Sequence, residues 1–259
     1  MDPQSKRILL GALLGLVAAG ANVLGGVLVA HRKWSDHFLK YFIAVGAGFM
    51  LATAVLEMIP ESLALASEGN APARTVGGDT SVVFLWILGG YFLVHFFEHT
   101  VAPHFHFGEE HHHAEMAHSH ASYAALLGLG IHTFFDGVAI AAGLLVSTWL
   151  GGVIFLAIAL HKLPEGFTVA SLMMASGKTQ RVAVLASALL GAMTLLGMAL
   201  MFLVRGSIGY ALPISAGVTL YVAATDLVPE SNREPGAGMG ALVFLGVAIM
   251  VGLKYAFHF

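Results

Sequence analysis

Eight separate stretches of this chain stay apolar for about 20 residues or more, and that limits the fold before any single residue is considered. They fall near 8–30, 39–60, 81–100, 122–146, 149–174, 182–204, 208–228 and 237–257. A helix needs about 20 residues to cross a bilayer, and in hydrocarbon a spanning segment must satisfy its own backbone groups. Continuous runs of this length exclude short alternating strands, so the sequence predicts an all-α polytopic membrane protein with eight transmembrane helices. Composition agrees: 58% of the 259 residues are hydrophobic and 10% are charged, where a soluble domain carries about 25% charged residues. The chain reads as a single transmembrane domain over residues 1–259.

The first run is longer than the about 7–15 residues of a signal-peptide core and ends in "HRKW" rather than a cleavage site, so it reads as a span. A formal charge of −3 and no basic patch with interleaved aromatics give no sign of nucleic-acid binding. Cysteine is absent, which removes disulfides, thiolate metal sites and cysteine nucleophiles together. Any metal site must draw on His, Asp, Glu, Asn or Met.

One connection departs from the short ones. Residues 101–121 contain "PHFHFGEEHHHAEMAHSH", with seven of the chain's fourteen histidines: His104, His106, His111, His112, His113, His118 and His120. A segment so polar cannot build a core and reads as an accessory, metal-affine His-rich loop. Eight spans put both termini on one face of the membrane. Outside the spans that face has five basic residues (Lys6, Arg7, Arg74, Arg205, Lys254) and the other has six (Arg32, Lys33, Lys40, Lys178, Arg181, Arg233). The positive-inside rule then sets the termini outside and the loop in the cytoplasm of a plasma (inner) membrane, by a single charge.

An internal repeat is visible. "GAGFMLATAVLEMIPES" (46–62) and "SAGVTLYVAATDLVPES" (215–231) align without gaps with seven identities in seventeen, and Glu57 and Glu61 match Asp226 and Glu230. The copies lie in the second and seventh spans, five apart, so the repeat is inverted and relates helices 1–3 to helices 6–8 around a central pair, helices 4 and 5. Inverted repeats are a signature of secondary transporters with a site near the midplane. The paired acids read as groups that attract and hand on cations at the two mouths, or as solvated helix ends.

The central pair carries the chemistry. "HTFFDG" (132–137) and "HKLPEG" (161–166) each place a histidine and an acid four residues apart, on one helix face. His132 is about ten residues into its span and His161 about twelve, which at about 1.5 Å per residue puts both near mid-membrane. An ionised side chain there costs at least about 2.5–3.5 kcal/mol, so such groups face the bundle interior and mark a site or path. His132, Asp136, His161 and Glu165 form an imidazole–carboxylate set suited to zinc, and also to iron or manganese. A proton relay is the other reading. Pro164 removes a backbone donor and predicts a bent or broken helix at the site, while Gly137 and Gly166 predict close backbone approaches.

These motifs resemble the ZIP (Zrt/Irt-like) family of divalent-metal transporters, whose fourth helix carries "HN-x-x-D/E-G" and whose fifth carries "H-x-x-P-E/H". The eight spans, the His-rich loop after the third and "GFMLAT…PES" in the second extend the likeness over essentially the whole chain. The resemblance implies that His132, Asp136, His161 and Glu165 form the transport site, with a thioether from Met50. It also implies a second metal beside the first, but the three places that would hold it carry Thr133, Lys162 and Thr194. An ammonium at Lys162 fills the missing cation's volume and balances Asp136 and Glu165, so one metal is expected. Zinc is the first candidate cargo, then Fe2+, Mn2+ or Cd2+, with no prosthetic group. Uptake toward the cytoplasm and a homodimer are implied by the resemblance alone.

Three rival functions remain. A selective channel shares the same ligands, and a metal sensor needs only the His-rich loop. An intramembrane metalloprotease is represented by "HFFEH" (95–99), which matches an inverted zinc-peptidase pattern but has no companion helix with a third ligand. No phosphate-binding GxxxxGK[ST] loop is present, so nothing couples the chain to ATP.

Overall fold

The computed structural model describes residues 2–31, 36–67, 80–100, 119–232 and 237–257. Among these there are eight helices long and apolar enough to span a membrane. We number the helices α1 (Pro3–His31), α2 (Asp36–Thr53, continuing through Ala54–Met58 to Ile59–Ser67), α3 (Ser81–Thr100), α4 (Ser119–Val146), α5 (Thr148–Ala175), α6 (Gln180–Leu203), α7 (Ile208–Tyr221, continuing through Val222–Leu227 to Val228–Asn232) and α8 (Ala237–Phe257). A short 3-10 turn, Arg205–Ser207, joins α6 to α7.

Local chemistry fixes the helix ends. Asp2 accepts the Ser5 amide at 2.6 Å, and hydrogen bonding from the Ser5 side chain first and its amide second holds the Asp2 carboxyl below the usual carboxylate range. Ser147 alone separates α4 from α5 and caps α5 by accepting the Leu150 amide at 3.0 Å. Thr179 caps α6 in the same way. Gly177, at φ 75°, supplies the left-handed turn that ends α5.

Two expectations about helix continuity change. α5 is not broken at Pro164: it runs uninterrupted from Thr148 to Ala175. A proline removes one backbone hydrogen bond, and helices packed on both sides hold the chain through it. The irregular backbone lies instead in the repeat. Ala54–Met58 in α2 and Val222–Leu227 in α7 are π-helical turns, and they occupy matching places in the two copies. Both stand just before a proline of the shared "PES" ending, Pro60 and Pro229.

The glycines divide the eight helices into two groups. A Cβ on Gly166 would fall 2.0 Å from the Asn22 carbonyl oxygen, and one on Gly25 would fall 2.3 Å from that of Leu163, so α1 and α5 touch backbone to backbone. Gly137 against Thr194 and Gly197 against Phe134 weld α4 to α6 reciprocally. In the other group Gly48 and Gly246 join α2 to α8, and Gly90 and Gly217 join α3 to α7. Every such approach closer than 3.0 Å lies inside α1/α4/α5/α6 or inside α2/α3/α7/α8. Between the groups, at Gly46 against Leu160, the separation relaxes to an ordinary 3.4 Å. Small residues are what allow helices to pack this closely without a hydrophobic driving force.

Candidate metal centre

The facing stripes of α4 and α5 bring the predicted quartet together. His132, Asp136, His161 and Glu165 are all buried, and one ligand atom from each lies within 4.8 Å of the others. The i, i+4 spacing on two antiparallel neighbours achieves this, because each helix turns the same face inward twice. Asp136 Oδ2 is the hub, 3.3 Å from His132 Nε2 and 3.4 Å from His161 Nε2. His161 Nδ1 donates to the Ala157 carbonyl at 3.1 Å. A carbonyl only accepts, so a neutral His161 presents its Nε2 lone pair to the carboxylate. That approach of lone pair and anion needs a proton or a cation between them.

The quartet spans up to 4.8 Å, and two of its separations are already of zinc-ligand length. Ligand atoms about 2.0–2.2 Å from a tetrahedral ion sit about 3.3–3.6 Å apart, which matches both histidine–Asp136 separations. His132 Nδ1 and Asp136 Oδ1 are buried without a hydrogen-bond partner, so the quartet retains unused donor and acceptor capacity.

Lys162 completes the centre. It is fully buried, with Nζ 2.6 Å from Asp136 Oδ2 and 2.5 Å from Glu165 Oε2. Thr133, also fully buried, donates its hydroxyl to Glu165 Oε1 and accepts from Lys162 Nζ at 3.4 Å. A buried ammonium costs several kcal/mol in desolvation, which two carboxylates and a hydroxyl at these distances offset. Thr194 is buried on α6 and turns its hydroxyl to its own helix, toward the Leu190 carbonyl at 3.5 Å. Every charged member of the centre therefore belongs to the α1/α4/α5/α6 group.

The remaining predicted residues are more dispersed. Met50 is buried on α2 in an apolar cluster with Ala157, Leu160 and Phe135, which flank His161 and Asp136. Glu57 lies in the π-turn of α2, buried, with Trp149 Nε1 donating to it at 3.3 Å and Lys254 Nζ 3.0 Å away. Glu61 is half-buried about one turn beyond. At the opposite mouth, Asp226 in the π-turn of α7 accepts from Thr225 at 3.3 Å. Glu98 of "HFFEH" is the charged neighbour of Asp226 at this mouth. The side chain of Glu230 lies outside the described residues, as do His104, His106, His111, His112, His113, His118 and the side chain of His120. Sequence reasoning missed the partners of Glu57, of which Lys254 comes from the last span, and the pairing of Glu98 with the α7 acid. A proline four residues after Leu56 was the one local signal for an irregular backbone there.

Comparison with known proteins identifies the family. The family described as ZIP Zinc transporter matches residues 6–125 and 108–254. Zinc transporter ZupT of Escherichia coli O7:K1 is 30% identical, over 92% of this chain and 93% of its own length. Zinc transporter ZIP9-A of Xenopus laevis is 27% identical over 85% of this chain and 84% of its own. Zinc transporter zipt-7.1 of Caenorhabditis briggsae is 27% identical over 94% of this chain and 76% of its own. With its eight spans, a buried His/Asp/Glu cluster and this coverage, the chain belongs to the ZIP zinc transporter family, integral membrane proteins that carry divalent metal ions and are not enzymes.

Proposed function

We propose that this protein moves divalent metal ions, zinc first and Fe2+, Mn2+ or Cd2+ by the same ligand chemistry, from outside toward the cytoplasm. One ion at a time is held by His132, Asp136, His161 and Glu165, with Met50 adding a thioether from α2. The observation that carries the reading is Lys162 Nζ lying between Asp136 Oδ2 and Glu165 Oε2 at 2.6 and 2.5 Å. An ammonium there takes the volume and charge of a second cation, so the centre holds one metal. Lys162 and Thr133 balance and orient the carboxylates, and the acids Glu57, Glu61, Asp226 and Glu230 mark the two ends of the path.

Alternating access is supported by the two groups of helices. The ligand quartet rides entirely on α4 and α5, inside one glycine-welded group, while Met50 belongs to the other. Movement of one group along the other exposes the centre to each side in turn without disturbing its internal geometry. Zinc uptake into proteoliposomes tests the reading. Saturable uptake by the wild type, lost in His132→Ala with Glu165→Ala, is expected, and equal flux in both would refute it. Uptake that does not saturate would favour a channel.

A further inference from the structure

The outer end of α2 carries an acid, Glu57, on which a second lysine is seated. Pro60 has no amide hydrogen, so the Leu56 carbonyl four residues earlier loses its helical donor. Lys254, near the end of α8, supplies one at 2.7 Å across 198 positions of sequence. The same Nζ lies 3.0 Å from Glu57 Oε1, and the Glu57 side chain is 7% exposed. Trp149 Nε1 donates to the other Glu57 oxygen at 3.3 Å, and its ring lies 6.0 Å from that of Phe257.

These contacts join three helices from both groups. Glu57 and Lys254 belong to α2 and α8, welded at Gly48 and Gly246, while Trp149 opens α5, the helix of His161 and Glu165. Glu57 is thus a polar link between the groups on the face that bears the termini. Among the described residues, its repeat counterpart Asp226 has the Glu98 carboxylate as a charged neighbour and no lysine paired with it. Among the described residues, the lysine clasp is seen at one mouth.

We infer that Lys254 is a charge gate at the terminal-side mouth: its ammonium occupies Glu57 until a divalent cation displaces it, and that exchange loosens the Glu57–Trp149 link between the helix groups. This rests on the transport reading above. The Lys254 side chain is 36% exposed, so the displaced ammonium reaches water by rotating its flexible stem. Glu57 is too buried to give up its counter-ion without a replacement, because an unpaired buried carboxylate is costly. A divalent ion brings twice the charge and so attracts the carboxylate more strongly than the ammonium does, whereas a monovalent ion competes with a tethered partner on equal charge. The gate thereby favours divalent cations before they reach the central ligands.

Trp149 provides a readout that does not depend on transport. In detergent-purified protein carrying Trp34→Phe and Trp86→Phe, Trp149 is the only tryptophan, and Zn2+ is titrated against its emission. Lys254→Met, which keeps the stem and removes the charge, should lower the zinc concentration for half-maximal change by about tenfold, and Lys254→Arg should recover most of the wild-type value. In a Glu57→Gln background the same Lys254→Met change should have no effect on that concentration. An unchanged half-saturation in Lys254→Met, or an equal change in both backgrounds, would overturn the gate. Thermal unfolding of each variant separates a folding defect from either result. Failure of proteoliposome uptake would refute the transport reading while the Trp149 titration still decides the gate.

Discussion

Lys162 Nζ lies 2.6 Å from Asp136 Oδ2, with both side chains essentially inaccessible to water. A lysine from α5 thus neutralises the carboxylate of α4 that both His132 and His161 approach. Under the proposed function an incoming metal ion would compete with this fixed charge for the same carboxylate, so the lysine would bear on both stability and zinc affinity.

Removing the lysine leaves Asp136 and Glu165 buried without their counter-charge. Lys162→Met should destabilise the metal-free protein by about 3–5 kcal/mol, as breaking a buried ion pair does. Zinc should then raise the melting temperature of this variant more than that of the wild type, because a second cation replaces the ammonium. Thermal unfolding with and without zinc measures both.

Thr133 links Glu165 to Lys162 through one hydroxyl. Thr133→Val keeps the shape and removes both hydrogen bonds, which leaves Glu165 less well oriented. Partners of this kind around a metal ligand are worth about 10–100-fold in affinity or activity, so the KM for zinc uptake should rise by about tenfold at unchanged protein levels in the membrane.

A methyl group separates the tight helix contacts from the open ones. Gly166→Ala drives a Cβ to 2.0 Å from the Asn22 carbonyl oxygen, whereas at Gly152 nothing lies within 4 Å. The first should cost about 1–3 kcal/mol through overpacking. The second, Gly152→Ala, should be neutral or stabilise by up to about 1 kcal/mol through helix propensity. Thermal unfolding of the two variants compares them directly.

The absence of native cysteine makes the boundary between the helix groups easy to lock. A Cβ built on Gly46 lies 3.4 Å from the Leu160 Cβ, close to the about 3.5–4.5 Å range that disulfides span. Gly46→Cys with Leu160→Cys should stop zinc uptake when oxidised and recover it on reduction. Undiminished uptake by the fully cross-linked protein would remove relative movement of the groups from the mechanism.

The spans and the quartet were legible in the sequence because both are local signals. Eight apolar runs need only be counted, and His132 with Asp136 or His161 with Glu165 share a helix face by spacing alone. The seat of Lys162 between two acids was legible from its place three residues before Glu165. The Lys254–Glu57 contact was not legible, since it joins residues in the second and last spans and leaves no periodic trace. The π-turns were hidden for another reason: their residues, such as Ala54 and Val222, have ordinary helical and apolar character, and only the downstream prolines betray them. Pro164 produced no break, because packing by neighbouring helices carried α5 through it.

Whether the mid-membrane centre holds one metal beside a lysine is measured by zinc-edge anomalous scattering from crystals grown with zinc. One anomalous peak is expected in that cavity, coordinated by His132, Asp136, His161 and Glu165, with the Lys162 ammonium still beside a carboxylate. Two peaks in the cavity, or an empty quartet with zinc bound elsewhere in the membrane, would contradict a single-metal centre.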